Sequence, residues 1–312
     1  MDNFKIFSGS SGRVFAEKIC SHIQVPLGQS TVKIFSEGNT FVRIEEPVRG
    51  KDIYLIQSIG LKPNDELVEI LFWLDAFKRA SAKSVTAIIP YFGYAKGDKK
   101  DEPRVSIRAR VCAECIELAG ADRIVTMDLH SPQVQGFFKK PVDNLIGMPI
   151  HCQYIRTLGL DNYVIVSPDA GFAKQARAYS KYLNVPTVIG DKTRSDHNEN
   201  AEILELIGDV NGKDAVIVDD FVISGGTLVN LAKMLKSHGA KRIFACVSHT
   251  LLNERGLERL NDSCIEKIIT TDTVFSPHLD GSEKVHTLSA APLFAECIIR
   301  IQNNQSISPL FD

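Results

Sequence analysis

The chain has 312 residues, enough for two domains that each bury a hydrophobic core. Its 36 basic and 38 acidic residues give a net charge of −2, which argues against a broad nucleic-acid-binding surface but allows a local basic patch for a small anion. No signal peptide or membrane-length apolar run is evident, so we expect a cytoplasmic protein with no membrane or nucleic-acid partner. The seven cysteines do not form a disulfide scaffold, and a lone C-x-x-C at Cys112 and Cys115 in a helical pattern favours small helix residues over metal or redox chemistry.

Strand and helix patterns alternate along almost the whole chain. Short apolar runs predict strands at Phe4–Phe7, Ile53–Gln57, Val85–Pro90, Ile124–Met127, Tyr163–Val166, Thr187–Ile189, Ala215–Val218, Ile243–Val247 and Ile268–Thr271. Helical periodicity predicts helices at Val14–Ile23, Asp65–Arg79, Ile107–Leu118, Ala173–Tyr182, Leu228–Lys236 and Pro292–Ile301. This alternation predicts an α/β fold with parallel sheets flanked by helices.

The chain also repeats itself. Three segments match three later ones in the same order and at similar offsets: Gly50–Ile56 with Gly212–Val218, Ala82–Val85 with Ala240–Ile243, and Asp122–Asp128 with Glu266–Asp272. The repeat predicts two copies of one α/β unit, with the boundary near Gly147–Pro149. We therefore assign residues 1–147 to the first domain and residues 148–301 to the second.

The stretch from Val216 to Thr227 carries the clearest functional signal. An apolar run ends in the carboxylates Asp219 and Asp220, and the small residues that follow before the next helical pattern are Ser224, Gly225, Gly226 and Thr227. In open α/β sheets, ligands lie beyond the carboxyl ends of strands. Bare backbone N–H groups, two hydroxyls and a helix N-terminus suit a phosphate, whereas carboxylates accept hydrogen bonds from sugar hydroxyls or bind Mg²⁺. We predict a sugar-phosphate site here, in preference to a plain N-capped helix.

Further polar residues follow other predicted strands. His130 and Asp169 could together hold one Mg²⁺ beside nucleotide phosphates, although a lone histidine is usually a satisfied polar residue. The loop at residues 90–104 leads from three aromatics into a lysine cluster, which is either a polyphosphate cradle or a solvated loop. The polar segment 189–199 carries Lys192 and Arg194; it is either a plain exposed loop or one that brings two cations over a phosphoryl-transfer site.

The sequence resembles the ribose-phosphate pyrophosphokinase family, the synthases of 5-phosphoribosyl 1-diphosphate, essentially from end to end. The motifs that carry the resemblance are Phe7–Ser11, Val48–Gly50, Ile89–Ala95, Thr126–His130, Gln135–Phe138, Pro141–Leu145 and Ser167–Gly171. The resemblance implies two phosphoribosyltransferase-like domains and a dimer-based homo-oligomer, up to a hexamer. It also implies Mg²⁺-dependent transfer of the diphosphoryl group of ATP to the 1-hydroxyl of ribose 5-phosphate, with release of AMP.

The resemblance further assigns roles to individual residues. His130 and Asp169 correspond to ligands of the ATP-bound Mg²⁺, Asp219 and Asp220 to the pair that holds the ribose hydroxyls near a second Mg²⁺, Ser224 to Thr227 to the 5-phosphate loop, and Lys192 and Arg194 to catalytic cations. The nucleotide-binding positions are Phe35, Glu37, Asn39, Lys96, Gly97, Lys99 and His130. The segment 35–39 corresponds to a hairpin that contacts adenine across a subunit boundary. The tail at 306–311 corresponds to part of an allosteric phosphate or ADP site, and we place residues 302–312 with the first domain.

Five positions depart from the family pattern. Lys96 and Gly97 replace an arginine and a glutamine, and Asn39 replaces a glutamate. Thr193 lies between the two catalytic cations where a basic residue is common, and Ile223 replaces an acid of the phosphosugar loop, Asp219–Thr227. The nucleotide contacts should therefore differ, because a planar guanidinium fork and an amide are missing. Two alternatives stay open: a catalytically silent subunit associated with such a synthase, and a phosphoribosyltransferase that consumes the activated sugar.

Overall fold

The computed structural model describes residues 3–193 and 202–311, without the side chains of 191–193 and 202–204. The chain divides into two compact units: unit 1 holds Met1–Ile146, Thr273–Phe275 and Ser289–Asp312, and unit 2 holds Gly147–Asp272 and Ser276–Leu288. This division differs from our boundaries at the C-terminal end, since the helix Ala291–Gln302 groups with unit 1. The reason is apolar packing, for Phe294 meets Phe15 edge to face with ring centroids 5.3 Å apart.

Unit 1 is built on a five-stranded parallel sheet in the order β1-β4-β5-β6-β7, beside a two-stranded hairpin of β2 and β3. Its strands are β1 (Phe4–Ser8), β2 (Ser30–Ile34), β3 (Thr40–Ile44), β4 (Asp52–Ile56), β5 (Ser84–Ile88), β6 (Arg123–Met127) and β7 (Val142–Leu145). Its first three helices are α1 (Arg13–Ile23), α2 (Pro63–Arg79) and α3 (Arg108–Ala119). Phe7, Trp73 and Phe77 are fully buried between the sheet and α2, and they anchor the core.

Unit 2 is built on a seven-stranded sheet in the order β10-β9-β8-β11-β12-β13-β14, in which β10 is antiparallel to β9 and the other described pairs are parallel. Its strands are β8 (Tyr163–Ser167), β9 (Thr187–Thr193), β10 (Glu202–Ile207), β11 (Asp214–Val222), β12 (Ile243–Thr250), β13 (Lys267–Thr271) and β14 (Val285–Leu288). Its helices are α4 (Met148–Ile155), α5 (Ala173–Leu183), α6 (Gly226–Ser237) and α7 (Glu254–Asn261), and α8 (Ala291–Gln302) then returns the chain to unit 1.

The internal repeat is confirmed. The parallel run β1-β4-β5-β6-β7 has the same chain order as the run β8-β11-β12-β13-β14. Backbone hydrogen bonds recur at the aligned positions: Gly50 N to Ser81 O (2.9 Å) and Gly212 N to Gly239 O (3.0 Å), and Lys83 N to Lys51 O (2.9 Å) and Lys241 N to Lys213 O (2.8 Å). The α/β fold with two related parallel-sheet units is therefore as predicted.

The predicted strands and helices are present with shifted ends, and several unpredicted elements join them: β2, β3, β7, β10, β14, α4 and α7. All seven cysteines are unpaired, and Cys112 and Cys115 lie within α3. Of the helices that the structure describes, none combines the length and the apolar character that a membrane span requires.

Candidate functional site

The acidic pair lies on β11 itself, which runs to Val222, and not after the strand as predicted. β11 continues because it stays paired with β12, whereas its pairing with β8 ends at Ile217. Past that point the backbone N–H of Asp220 donates to Asp219 Oδ1 (3.0 Å), and the N–H of Phe221 donates to Asp220 Oδ1 (2.9 Å). Of the two carboxylates, that of Asp220 is the more buried.

The predicted phosphate loop leads into the N-terminus of α6. Gly225 is the N-cap residue and has φ +71°, a left-handed conformation that favours glycine. The first turn of α6 holds no acidic residue and no side-chain cap. An uncapped helix N-terminus flanked by the hydroxyl-bearing residues Ser224 and Thr227 can receive the oxygens of an anion, since its backbone N–H groups and dipole both favour negative charge.

Helix α7 braces this loop, and sequence analysis missed that helix. Gly256 lies so near the loop that a Cβ there would be 3.3 Å from the carbonyl oxygen of Ile223. Asn253 fixes the start of α7, as its side chain accepts a hydrogen bond from Gly256 N (2.8 Å). Arg259 Nη1 lies 3.5 Å from Ser224 O, which adds a cation beside the phosphate loop. Asn253, a favoured N-cap residue, followed by the acidic Glu254 in the first turn, was the available signal for this helix.

Asp169 follows β8, the strand next to β11, so it lies at the same edge of the sheet as the acidic pair. The turn is fixed at two points: Ser167 Oγ donates to Asp169 O (2.7 Å), and Phe172 N donates to Asp169 Oδ1 (3.0 Å). The carboxylate is half-buried at the start of α5. Unit 2 therefore groups Asp169, Asp219 and Asp220 at the carboxyl ends of two paired strands, where hard cations and sugar hydroxyls find oxygen ligands.

His130 lies in unit 1, on the turn after β6, and its side chain is exposed. The preceding Asp128 has φ +43°, and its N–H donates to Leu145 O (3.0 Å). Leu129 N donates to the side chain of Asn144 (3.1 Å) on the neighbouring β7. A left-handed non-glycine residue held by two cross-strand hydrogen bonds is typical of a turn that presents a functional side chain.

The expected nucleotide residues fall on two segments of unit 1. Phe35, Glu37 and Asn39 form the tip of the β2–β3 hairpin, closed by the hydrogen bond from Phe35 N to Asn39 O (2.9 Å). Phe35 is 47% exposed, and Asn39 Nδ2 donates to Glu37 Oε1 (3.3 Å). The tip therefore offers an aromatic face and a short polar pair to a ligand outside the unit.

Lys96, Gly97 and Lys99 lie on the second segment, the loop after β5. Both lysines are exposed and Gly97 is buried. Gly97 O accepts a hydrogen bond from Ala109 N (3.1 Å) in the first turn of α3, which ties this loop to the helix. Since β5 and β6 pair in parallel, the loop and His130 follow neighbouring strands at one sheet edge.

In unit 1 the counterpart of the phosphosugar loop is filled by the protein's own side chains. Gln57 and Ser58, aligned with the acidic pair, are fully or almost fully buried. Gly60 N donates to Glu66 Oε2 (2.5 Å), so a carboxylate lies where unit 2 has an open helix N-terminus. Burial raises the pKa of Glu66 above its ordinary value, against the opposing effect of the Gly60 N–H. The loop in unit 1 is therefore closed to an anion, whereas the matching loop in unit 2 is open.

Lys192 lies within β9, but its side chain is outside the described part of the structure, and Arg194 lies wholly outside the described residues. Within the described residues, no cluster of three or more histidine, cysteine, aspartate or glutamate side chains could hold a metal ion by itself. A magnesium ion bound here would then take its remaining ligands from substrate phosphates and water, which is the usual mode for this ion.

Comparison with known proteins identifies the family. Residues 4–120 match the family model described as the N-terminal domain of ribose phosphate pyrophosphokinase, and residues 193–312 match the phosphoribosyl synthetase-associated domain. The chain is 43% identical over 311 residues to the ribose-phosphate pyrophosphokinase of Campylobacter jejuni, covering 100% of both chains. The chain belongs to the ribose-phosphate pyrophosphokinase family.

Two further relatives agree with this assignment. The ribose-phosphate pyrophosphokinase of Caldanaerobacter subterraneus is 46% identical over 312 residues, with 99% of this chain and 98% of the relative covered. The crystal structure of phosphoribosylpyrophosphate synthetase from Mycobacterium smegmatis superposes with a TM-score of 0.90 at 35% identity, covering 97% of this chain and 100% of that one. The resemblance seen in the sequence is thus confirmed for family and fold.

Proposed function

We propose that this protein transfers the β,γ-diphosphoryl group of ATP to the 1-hydroxyl of ribose 5-phosphate, forming 5-phosphoribosyl 1-diphosphate and AMP. The observation that carries the proposal is the pairing, in unit 2, of an acidic strand end with an open helix N-terminus in a chain that aligns over its full length with ribose-phosphate pyrophosphokinases. The strand end suits sugar hydroxyls, and the helix N-terminus suits the 5-phosphate.

Ribose 5-phosphate is held at both ends in this proposal. The backbone N–H groups of 225–227 and the hydroxyls of Ser224 and Thr227 receive the phosphate, with the Arg259 cation nearby. Asp219 and Asp220 accept hydrogen bonds from the ribose hydroxyls, and each already has one oxygen oriented by a backbone N–H. Holding the sugar at two points orients its C1 hydroxyl for attack on the β-phosphorus, which lowers the entropic cost of reaction.

The residues fit a requirement for Mg²⁺, because the site offers hard carboxylate oxygens and no thiolate ligand. His130 and Asp169 would hold the Mg²⁺ that accompanies ATP, and Asp219 and Asp220 would lie near a second ion. When bound, the metal neutralises charge on the phosphoryl oxygens. Phe35, Glu37, Asn39, Lys96, Gly97 and Lys99 are the proposed nucleotide contacts, and Lys192 and Arg194 the proposed cations that stabilise the transferring group.

A turnover assay tests the proposal. The full chain is incubated with Mg²⁺, ribose 5-phosphate and ATP, and AMP formation is followed. Lys192→Ala should lower kcat by several hundredfold without changing the unfolding midpoint, whereas Lys233→Ala, which removes an exposed lysine on α6, should leave kcat unchanged. Absence of turnover with every nucleoside triphosphate would instead support a catalytically silent subunit, the alternative that the changes at Lys96, Gly97 and Asn39 leave open.

A further inference from the structure

Arg108 occupies the space beside the nucleotide loop that a side chain at position 97 would need. A Cβ built on Gly97 would lie 2.8 Å from both Cβ and Nε of Arg108, closer than neighbouring atoms tolerate. Ala109 N donates to Gly97 O (3.1 Å), and Gly97 N donates to Tyr94 O (2.9 Å), so the loop and the start of α3 are fastened together. Arg108 can therefore lie along this loop only because residue 97 is a glycine.

No hydrogen bond or ion pair within the described residues explains why an arginine occupies position 108. Its side chain is exposed, and within the described residues no hydrogen bond or ion pair engages its guanidinium. It is also the first residue of α3, where the helix dipole disfavours a cation, and the first turn of α3 holds no acidic residue. Arg110, two residues further along the same helix, is by contrast paired with Glu114 (2.8 Å).

The chemistry of this position differs from that of an amide. A glutamine side chain both donates and accepts hydrogen bonds, whereas a guanidinium offers only donors in a planar fork. The edge of adenine that carries N6 and N7 presents one donor and one acceptor, which an amide matches. The same edge of guanine carries O6 and N7 and presents two acceptors, which a guanidinium matches. Replacing an amide by Arg108 at this point therefore favours purines that carry an oxygen at C6.

We propose that Arg108 is a specificity-determining residue that contacts the base of the nucleoside triphosphate and shifts donor preference from ATP toward GTP. The inference rests on the proposed function, since it takes the loop after β5 to be part of the nucleotide site. Lys96 and Lys99 on the same loop supply positive charge for the phosphates of either nucleotide, so the base contact is what separates the two donors.

The test compares ATP and GTP as donors for wild type and Arg108→Gln, following AMP or GMP formation with Mg²⁺ and ribose 5-phosphate. We expect Arg108→Gln to lower the ratio of kcat/KM for GTP to that for ATP by about tenfold, the size of one bidentate base contact. The control Arg110→Gln removes another exposed arginine from α3 and should leave the ratio unchanged. A ratio within twofold of the control overturns the proposal, as does an equal loss for both donors, which would indicate a phosphate contact.

Calorimetric titration separates this proposal from the proposed reaction. If wild type forms neither AMP nor GMP, the diphosphokinase assignment fails, but ATP and GTP binding to wild type and Arg108→Gln still measures base selectivity. Selective weakening of GTP binding in Arg108→Gln then supports the role of Arg108. Equal affinities in the two proteins contradict it.

Discussion

Gly256 on α7 lies against the carbonyl oxygen of Ile223 in the phosphosugar loop. A Cβ at position 256 would be 3.3 Å from that oxygen and 2.8 Å from Leu252 Cδ2. Gly225, the N-cap of α6, faces the same helix, because its own Cβ would meet Gly256 O at 3.5 Å. The shape of the phosphate loop therefore depends on the close approach of α7, although α7 contributes no residue to that loop or to the acidic pair.

The substitution Gly256→Ala should weaken binding of ribose 5-phosphate. The added methyl group pushes on the Ile223 carbonyl and shifts the backbone N–H groups that receive the phosphate. We expect KM for ribose 5-phosphate to rise about tenfold with a much smaller change in kcat, since misplacement of a binding loop removes ground-state and transition-state binding together. Steady-state kinetics checks this. Gly136→Ala, which adds the same methyl group into open space, is the matched control.

The sheet and the loops at its edge could be predicted because they have local signals. Buried strands such as β8 and β11 are continuous apolar runs, and the acidic pair with two glycines has few structural explanations. The repeat also indicated the order of the strands, since segments that match in sequence occupy equivalent strands of the two sheets. The missed strands β2 and β3 form an exposed hairpin with large apolar residues such as Ile34 facing outward, so they lack the pattern of a buried strand.

Other features depend on contacts between distant residues and have no local signal. The length of β11 is set by its pairing with β12, so its end at Val222 could not be read from the run Ala215–Val218. The contact of Gly256 with the Ile223 carbonyl depends on where α7 lies. The clash that a side chain at position 97 would make with Arg108 likewise depends on where α3 lies. The same holds for the assignment of α8 to unit 1, which rests on its packing against Phe15.

The substitution Asp220→Asn should abolish most activity while preserving the fold. Asparagine keeps an oxygen that accepts from Phe221 N, the contact now made by Oδ1 at 2.9 Å, but it loses the negative charge. We expect kcat/KM for ribose 5-phosphate to fall by about 100-fold or more, because a neutral amide holds sugar hydroxyls and Mg²⁺ less well. The assay is AMP formation, with circular dichroism to verify folding. Asp161→Asn, at an exposed carboxylate of unit 2, should be neutral, and full activity of Asp220→Asn would remove this residue from the site.

Unit 1 should depend for its stability on the buried carboxylate of Glu69, which joins Ser10, after β1, to helix α2. Glu69 is 4% exposed and accepts hydrogen bonds from Ser10 N (2.8 Å) and Trp73 Nε1 (3.1 Å), and Ser10 Oγ also donates to it. Glu69→Gln keeps the size of the side chain but replaces a charged acceptor by a neutral amide, which weakens these hydrogen bonds. We expect the free energy of unfolding to fall by about 2 kcal/mol, because hydrogen bonds to a charged group contribute more than neutral ones. Urea denaturation measures it.

The matched control is Glu17→Gln, which removes an exposed carboxylate paired with Arg13 at 3.0 Å. Such surface pairs contribute about 0–1 kcal/mol, so this variant should unfold close to wild type. Equal stability of the two variants would mean that the Glu69 contacts with Ser10 and Trp73 do not hold unit 1 together.

Unit 2 should lose stability in mild acid through one buried histidine. His151 on α4 is fully buried, and its Nδ1 lies 2.8 Å from Oη of Tyr179 on α5. Burial, and next the nearby His249, lower the pKa of His151 to about 3. An unfolded histidine has a pKa of about 6.5, so between these values the unfolded chain binds a proton that the folded chain does not. The contribution of His151 to stability is therefore complete above pH 6.5 and is lost progressively as the pH falls.

The expected size of this effect follows from linkage. As the pH falls from 7.5 to 5.5, His151 alone should lower the free energy of unfolding by about 1.4 kcal/mol, because unfolding becomes coupled to the uptake of one proton. His151→Gln removes the titrating group and keeps a polar partner for Tyr179, so its unfolding free energy should fall less over the same interval by about that amount. Urea denaturation of both proteins at the two pH values measures the difference, in which the titrations common to both cancel. Parallel pH profiles for wild type and His151→Gln would show that His151 titrates in the folded protein as it does in the unfolded chain, and the buried neutral imidazole would then be the wrong assignment.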